Sequence, residues 1–241
     1  MAAGAPNIMG LASRGAFTWR AKTIMPSTTL PSHTSMLSGY TPDAHGITWD
    51  DYAPMRGPIQ VPTLFSVARA GGKRTALVAG KDKFQLFRDT GACDTFAIAP
   101  RGDEDVAAQA ASLSSGRPDL LVVHLADVDL TGHAMQWMSS DYLSAVARAD
   151  QAVGRILASL PDDVTVILTA DHGGHLGGHG SDDLQDTTIP WIIAGPSTAK
   201  GHQLSTSVRT VDTAATAAYV LGLKLAPDAA GQPVLEAFGA R

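Results

Sequence analysis

An α/β sandwich, with helices covering both faces of a mainly parallel central sheet, is the fold class the sequence predicts. Two observations carry that prediction: four short, almost unbroken apolar runs rich in β-branched residues, and amphipathic helical segments lying between them. At 241 residues, 44% hydrophobic and 17% charged, the chain is long enough for one sizeable core and short for two, so residues 1–241 are read as a single domain.

In chain order, "STTLPSH" opens a helix starting near Pro31, because threonine caps a helix and proline fits its first turn. "VPTLFSVARAGG" (61–72) reads as a helix stopped by Gly-Gly, and "RTALVAG" (74–80) as a buried strand. "DEDVAAQAASLSSGR" (103–117) is helical, and "DLLVVHLAD" (119–127) is the next strand. "DYLSAVARADQAVGRILASL" (141–160) sets Leu143, Val146, Val153, Ile156 and Leu160 on one helical face. "DVTVILTAD" (163–171) and "TIPWIIAG" (188–195) are strands, and "TVDTAATAAYVLGL" (210–223) is a late helix covering one sheet face.

Composition excludes several classes. A net charge of -5 with no Lys/Arg run argues against a nucleic-acid backbone binder. Cys93 is the single cysteine, which rules out an intrachain disulfide framework and a thiolate zinc cluster. No apolar run approaches the roughly 18 to 20 residues of a membrane span, and "MAAGAPNIMG" lacks the regions of a secretory signal, so the chain as it stands is expected in the cytoplasm. Only Glu104 and Glu236 are glutamates, which leaves carboxylate chemistry mainly to aspartate.

In open α/β sheets ligands sit beyond the carboxyl ends of the strands. Two predicted strands run there into polar clusters, Asp129 and His133 in "DVDLTGH" and Asp171, His172, His175 and His179 in "DHGGHLGGHG". A lone histidine at a strand end is ordinarily hydrogen-bonded scaffolding. Two Asp/His clusters on one sheet edge point instead to a metal centre, with oxygen and imidazole donors that suit Zn2+ first and Mn2+ or another divalent ion second. "TTLPS" alone is a helix-start cap. Beside such a centre, a metal can ionise the Thr29 hydroxyl while the helix points its backbone N–H groups at an incoming anion.

These blocks resemble the alkaline phosphatase superfamily, in its type I phosphodiesterase/nucleotide pyrophosphatase branch. The resemblance rests on Thr29-Leu30-Pro31-Ser32-His33, Asp129 with His133, Asp171 with His172, and His179. It extends through "APNIMGLASRGAF", "YTPDAHGITW", "DTTIPWIIAGP" and "TVDTAATAAYVLG", which is nearly the whole chain. It implies one metal held by Asp129, His133 and His179, and a second by Asp171, His172 and the Thr29 oxygen. Ser32 stands where relatives carry an asparagine that donates to a phosphate oxygen. His33 and His45 read as scaffold, Asp127 as support for the ligands, and His175 as a loop residue rather than a ligand.

Members of that family ordinarily begin with a strand ending in Asp-Gly, whose aspartate binds the second metal. Only "MAAG" precedes Ala5 here, so the fold is expected to be N-terminally truncated relative to the family, with Asp50 and Asp51 as the available substitute carboxylates. Unpaired strand edges left by such a gap make self-association a reasonable expectation. The resemblance implies a metal-dependent hydrolase of small-molecule phosphoric esters acting through a phospho-threonine at Thr29. Phosphodiesters are the expected substrates, with monoesters, phosphonates, phosphotriesters and sulfate esters as side activities. A catalytically impaired metal- or phosphate-binding protein is the alternative.

Overall fold

The β-branched runs and amphipathic segments become, in the computed structural model, ten helices and seven strands among the described residues, 4–239. In order these are α1 (Pro6–Ser13), β1 (Ala16–Lys22), α2 (Thr29–Ser38), α3 (Pro42–His45), α4 (Leu64–Ala70), β2 (Thr75–Ala79), α5 (Gln85–Arg88), β3 (Thr95–Ile98) and α6 (Asp103–Ser115). They continue with β4 (Leu120–His124), α7 (Asp127–Met135), α8 (Ser140–Ser159), β5 (Val166–Thr169), α9 (Leu184–Thr187), β6 (Thr188–Ala194), β7 (His202–Gln203) and α10 (Asp212–Val220).

The strands form two sheets. One is three-stranded and parallel, ordered β3-β2-β4; the other is four-stranded, ordered β5-β6-β1-β7. In the second, β6 runs antiparallel to both β5 and β1, so the parallel expectation holds on one side of the molecule and a mixed arrangement on the other. The fully buried β2 shows why its run is continuously apolar: Leu77 and Ala79 face Leu30, Phe65 and Phe84, while Val78 faces Val106 and Ala110. Trp191 of β6 is fully buried, and its indole donates to Thr213 of α10 at 3.0 Å.

Helix α8 ties the sheets together, with Ile156 packing into the cluster around Val78 and Leu157 into the one around Ile192. Its buried positions are Ala145, Ala149, Asp150 and Ala152, not the aliphatic face read from the sequence, which is only half-buried; Leu160 already lies in extended backbone beyond the helix end. Small residues let α8 approach α6 and α1 closely. Its Asp150 carboxylate accepts from the N–H groups of Asn7 and Ile8, capping α1 from a distance. Strands β4 and β5 each have one ladder partner, β2 and β6, and their residues from Leu120 to Val123 and Val166 to Thr169 are half-buried.

Helix α2 starts at Thr29, two residues before the expected position. Thr28 is the extended N-cap, and Pro31 falls within the first turn, where its missing N–H costs nothing. All ten residues of α2 are buried.

Candidate active site

Thr29 is 1% exposed at the first turn of α2. Its carbonyl meets His33 Nδ1 at 2.9 Å, and His33 Nδ1 also lies 3.3 Å from Asp171 Oδ2, so helix α2 is tied to the loop after β5. Part of the expected fan of helix N–H groups is already engaged within the protein. Asp50 Oδ1 accepts from Leu30 N at 2.8 Å, Pro31 has no N–H, and Ser32 N is bonded to Thr28 O. Ser32 is fully buried with its hydroxyl 3.1 Å from that of Thr23, so contact with a substrate oxygen requires exchanging that bond.

Positive charge comes from elsewhere. Lys81 Nζ donates to Asp129 Oδ2 at 2.6 Å and lies 3.5 Å from Thr29 Oγ1, while Lys83 Nζ donates to Asp50 Oδ2 at 2.7 Å. Sequence reasoning passed over these lysines. The signal was present, because "KDK" directly follows the predicted strand 74–80, at the strand end where ligands gather. Asp50 is thus a helix cap and lysine partner, and Asp51 is exposed.

Asp129 and His133 stand four residues apart on α7, which brings both side chains to one face. His179 joins them from the loop after β5, and the donor atoms of the three lie within 4.8 Å of one another, the single such set of three or more among the described residues. Their protonation is readable from the partners. His133 Nδ1 faces Gly177 O at 3.1 Å and His179 Nδ1 faces Ser27 O at 2.9 Å; a carbonyl only accepts, so both protons sit on Nδ1. In the neutral rings the two Nε2 lone pairs confront each other at 3.1 Å.

His172 repeats the pattern, with Nδ1 against Gly173 O at 2.8 Å and Nε2 3.3 Å from Asp171 Oδ2 and 3.9 Å from Asp129 Oδ1. Asp129 Oδ1 and His172 Nε2 are both buried and without a hydrogen-bond partner. Converging imidazole nitrogens and an orphaned carboxylate oxygen fit a divalent cation. Burial works against the charge on Asp171, but His172 and His33 beside it outweigh that and hold its carboxyl well below the usual range. Burial pushes His179 down, as it does His124, which ends β4 against the ring of His33.

Gly173 has a steric reason. Its N–H donates to Asp186 O at 2.7 Å, and a Cβ there would lie 1.9 Å from the carbonyl oxygen of Gln185. Only glycine lets the two strands of this loop pass so closely. His175 meets the fully buried Asp186 at 2.7 Å, which also accepts from Ser181 N and Oγ, so this pair closes the loop on itself. Asp127 caps α6 through Asp103 N. His45 is buried between Ser35 Oγ and Ile47 N, and burial lowers its pKa to about 4.

Fold and site together define a member of the alkaline phosphatase superfamily: an α/β sandwich with a buried hydroxyl at a helix start beside an Asp/His cluster. The chain belongs to the type I phosphodiesterase / nucleotide pyrophosphatase family, whose model matches residues 1–61 and 81–177. It is 29% identical over 133 residues to a 2,3-bisphosphoglycerate-independent phosphoglycerate mutase of Rhodopirellula baltica, covering 52% of this chain and 24% of the mutase. It is 30% identical over 164 residues to a phosphopentomutase of Alkaliphilus metalliredigens, covering 67% of this chain and 40% of that protein. The chain therefore spans less than half the length of either relative.

Among solved structures, murine ectonucleotide pyrophosphatase / phosphodiesterase 5, an inactive variant in complex with AMP, superposes with a TM-score of 0.80 at 12% identity, covering 92% of this chain and 91% of that one. A 2-O GAG sulfatase gives the same TM-score at 17% identity, over 99% of this chain and 70% of the sulfatase. At these identities the likeness is one of fold. No helix among the described residues is long and apolar enough to cross a membrane.

Proposed function

We propose that this protein is a metal-dependent hydrolase of small-molecule phosphoric esters, phosphodiesters first, acting through a covalent phosphothreonine at Thr29. The observation that carries the proposal is the confrontation of the His133 and His179 Nε2 lone pairs beside the orphaned Asp129 Oδ1, within one lysine side chain of the Thr29 hydroxyl. Asp129, His133 and His179 would hold one divalent ion and Asp171 with His172 a second. Zn2+ suits these donors, with Mn2+ as an alternative; when bound, such ions polarise phosphoryl oxygens and favour ionised hydroxyl groups.

The chain's own groups do the rest. Lys81 favours the ionised form of Thr29 Oγ1 and offers its remaining N–H groups to a phosphoryl oxygen. Helix α2, buried along its whole length and tied to Asp171 through His33, fixes the hydroxyl for in-line attack on phosphorus. The bond to the departing alcohol breaks as the Thr29–phosphorus bond forms. Water then cleaves the phosphothreonine, releases the phosphate monoester and restores Thr29.

A metal- or phosphate-binding protein without turnover is a second reading. It is favoured by Asp171 and His172 having no third carboxylate or imidazole in a compact donor set among the described residues. Bound zinc per chain, measured with hydrolysis of bis(p-nitrophenyl) phosphate by wild type and Thr29→Ala, separates the two. We expect turnover to drop at least a hundredfold in Thr29→Ala with zinc retained. Equal rates in both proteins would remove Thr29 as nucleophile.

A further inference from the structure

The outer wall of the Asp/His cluster is apolar. Trp137 packs edge-on against His133, with ring centroids 5.1 Å apart, and against His179 at 5.9 Å. Its indole is seated on two glycines, since a Cβ on Gly132 or Gly174 would come within 2.7 or 2.2 Å of the ring. Around it stand Met135, Met138 and Leu176, respectively 50%, 68% and 71% exposed, and Trp137 N donates to Leu176 O at 2.7 Å. Three of the four non-glycine residues with positive φ among the described residues lie in this wall: Gln136 at 71°, Met138 at 65° and Leu176 at 52°. A left-handed backbone is unfavourable for methionine and leucine, and such conformations persist where surrounding structure enforces them, often at functional sites.

The wall's position says what it meets. Thr29 is on the buried side of the cluster, and His133, its side chain 45% exposed, is on the open side with Trp137 against it. In an in-line displacement the departing oxygen leaves on the side of phosphorus opposite the nucleophile, and Trp137, against His133 and His179, is an apolar surface adjoining the cluster on its open side.

We propose that Trp137, with Met135, Met138 and Leu176, is an apolar subsite for the leaving group, which makes the protein selective for phosphodiesters of aryl and alkylaryl alcohols. This rests on the hydrolase reading above. An apolar substituent here covers side chains that are otherwise left in water, and the half-buried indole gives the subsite an aromatic member.

The test is a series of 4-alkylphenyl methyl phosphates, from phenyl to 4-butylphenyl, whose leaving groups differ little in acidity. Turnover is followed by release of the phenol, and binding to Thr29→Ala protein by calorimetry. We expect kcat/KM to rise and Kd to fall about twofold or more per methylene in wild-type and Thr29→Ala backgrounds respectively. That slope flattens in the Met138→Asn/Leu176→Asn protein, where asparagine tolerates the left-handed backbone and the phenyl ester is each protein's own reference. A flat series alongside measurable turnover overturns the subsite and leaves the hydrolase reading standing. A graded Kd without any turnover does the reverse. A slope unchanged in the double variant, with binding to phosphatidylcholine vesicles lost, assigns the apolar wall to a lipid surface and overturns the proposal.

Discussion

Replacing Gly173 by alanine tests whether steric closeness in the Asp-His-Gly loop holds the site together. The new Cβ would lie 1.9 Å from Gln185 O, and a comfortable carbon–oxygen contact is about 3.3 Å, so the two segments must part by about 1.4 Å. That displacement breaks the bonds from Gly173 N to Asp186 O and from Gly174 N to Gln185 O, at about 1 kcal/mol each. Residual crowding adds about 1–3 kcal/mol, while alanine's smaller unfolded-state entropy returns about 0.4–1 kcal/mol. The net expectation is a loss of about 2–5 kcal/mol in urea unfolding of the metal-free protein, with weakened zinc binding because His172 precedes the displaced residue. Gly178→Ala is the control: nothing lies within 4 Å of its built Cβ, and its stability is expected within about 0.5 kcal/mol of wild type. Gly173→Ala matching wild type in both urea midpoint and zinc affinity would refute the reasoning.

Lys81→Met keeps the side chain's length and removes its charge, and is expected to lower kcat about 10–100-fold with a smaller change in KM; unchanged kcat would remove the lysine from the chemistry. Asp150→Ala strands Asn7 N and Ile8 N at the start of α1 and leaves Asn7 Nδ2 only its bond to the backbone oxygen of residue 150, and denaturant unfolding should show a loss of about 2–3 kcal/mol. The His175–Asp186 pair gives a pH signature. The hydrogen bond that His175 donates to Asp186 raises the His175 pKa, so its contribution is full below about pH 6.5 and is lost as pH rises through the raised value. Burial opposes ionisation of Asp186, but His175 and Ser181 outweigh it, so that share is present above about pH 4 and lost on acidification. The Tm difference between wild type and His175→Ala is therefore expected to be larger at pH 6 than at pH 9, and a gap independent of pH would contradict the pairing.

Much of the fold was legible because burial leaves a local imprint. The runs 74–80 and 119–127 became β2 and β4, and 103–117 became α6, since a strand or helix with one fixed environment must repeat its apolar residues at that element's period. β1 escaped notice because "AFTWRAK" alternates burial irregularly across a register shift between Thr18 and Ala21, and β7 is only two residues long. The direction of β6 was not in its composition either, since Ile, Trp and Ala pack equally well in either orientation and strand direction is set by the connections around it.

For the site, the sequence by itself determined the chemistry: which oxygens and imidazoles exist, and that they follow directly on two strands. Asp129 and His133 could be paired from spacing alone because a helix repeats every 3.6 residues. Only the tertiary structure decided the partners. It set His179 Nε2 against His133, spent the Leu30 N–H on Asp50, brought Lys81 to Thr29 and folded His175 back onto Asp186. The physical reason is range: backbone periodicity acts over a few residues, whereas these contacts span between 11 and 52 positions and depend on how separate elements pack.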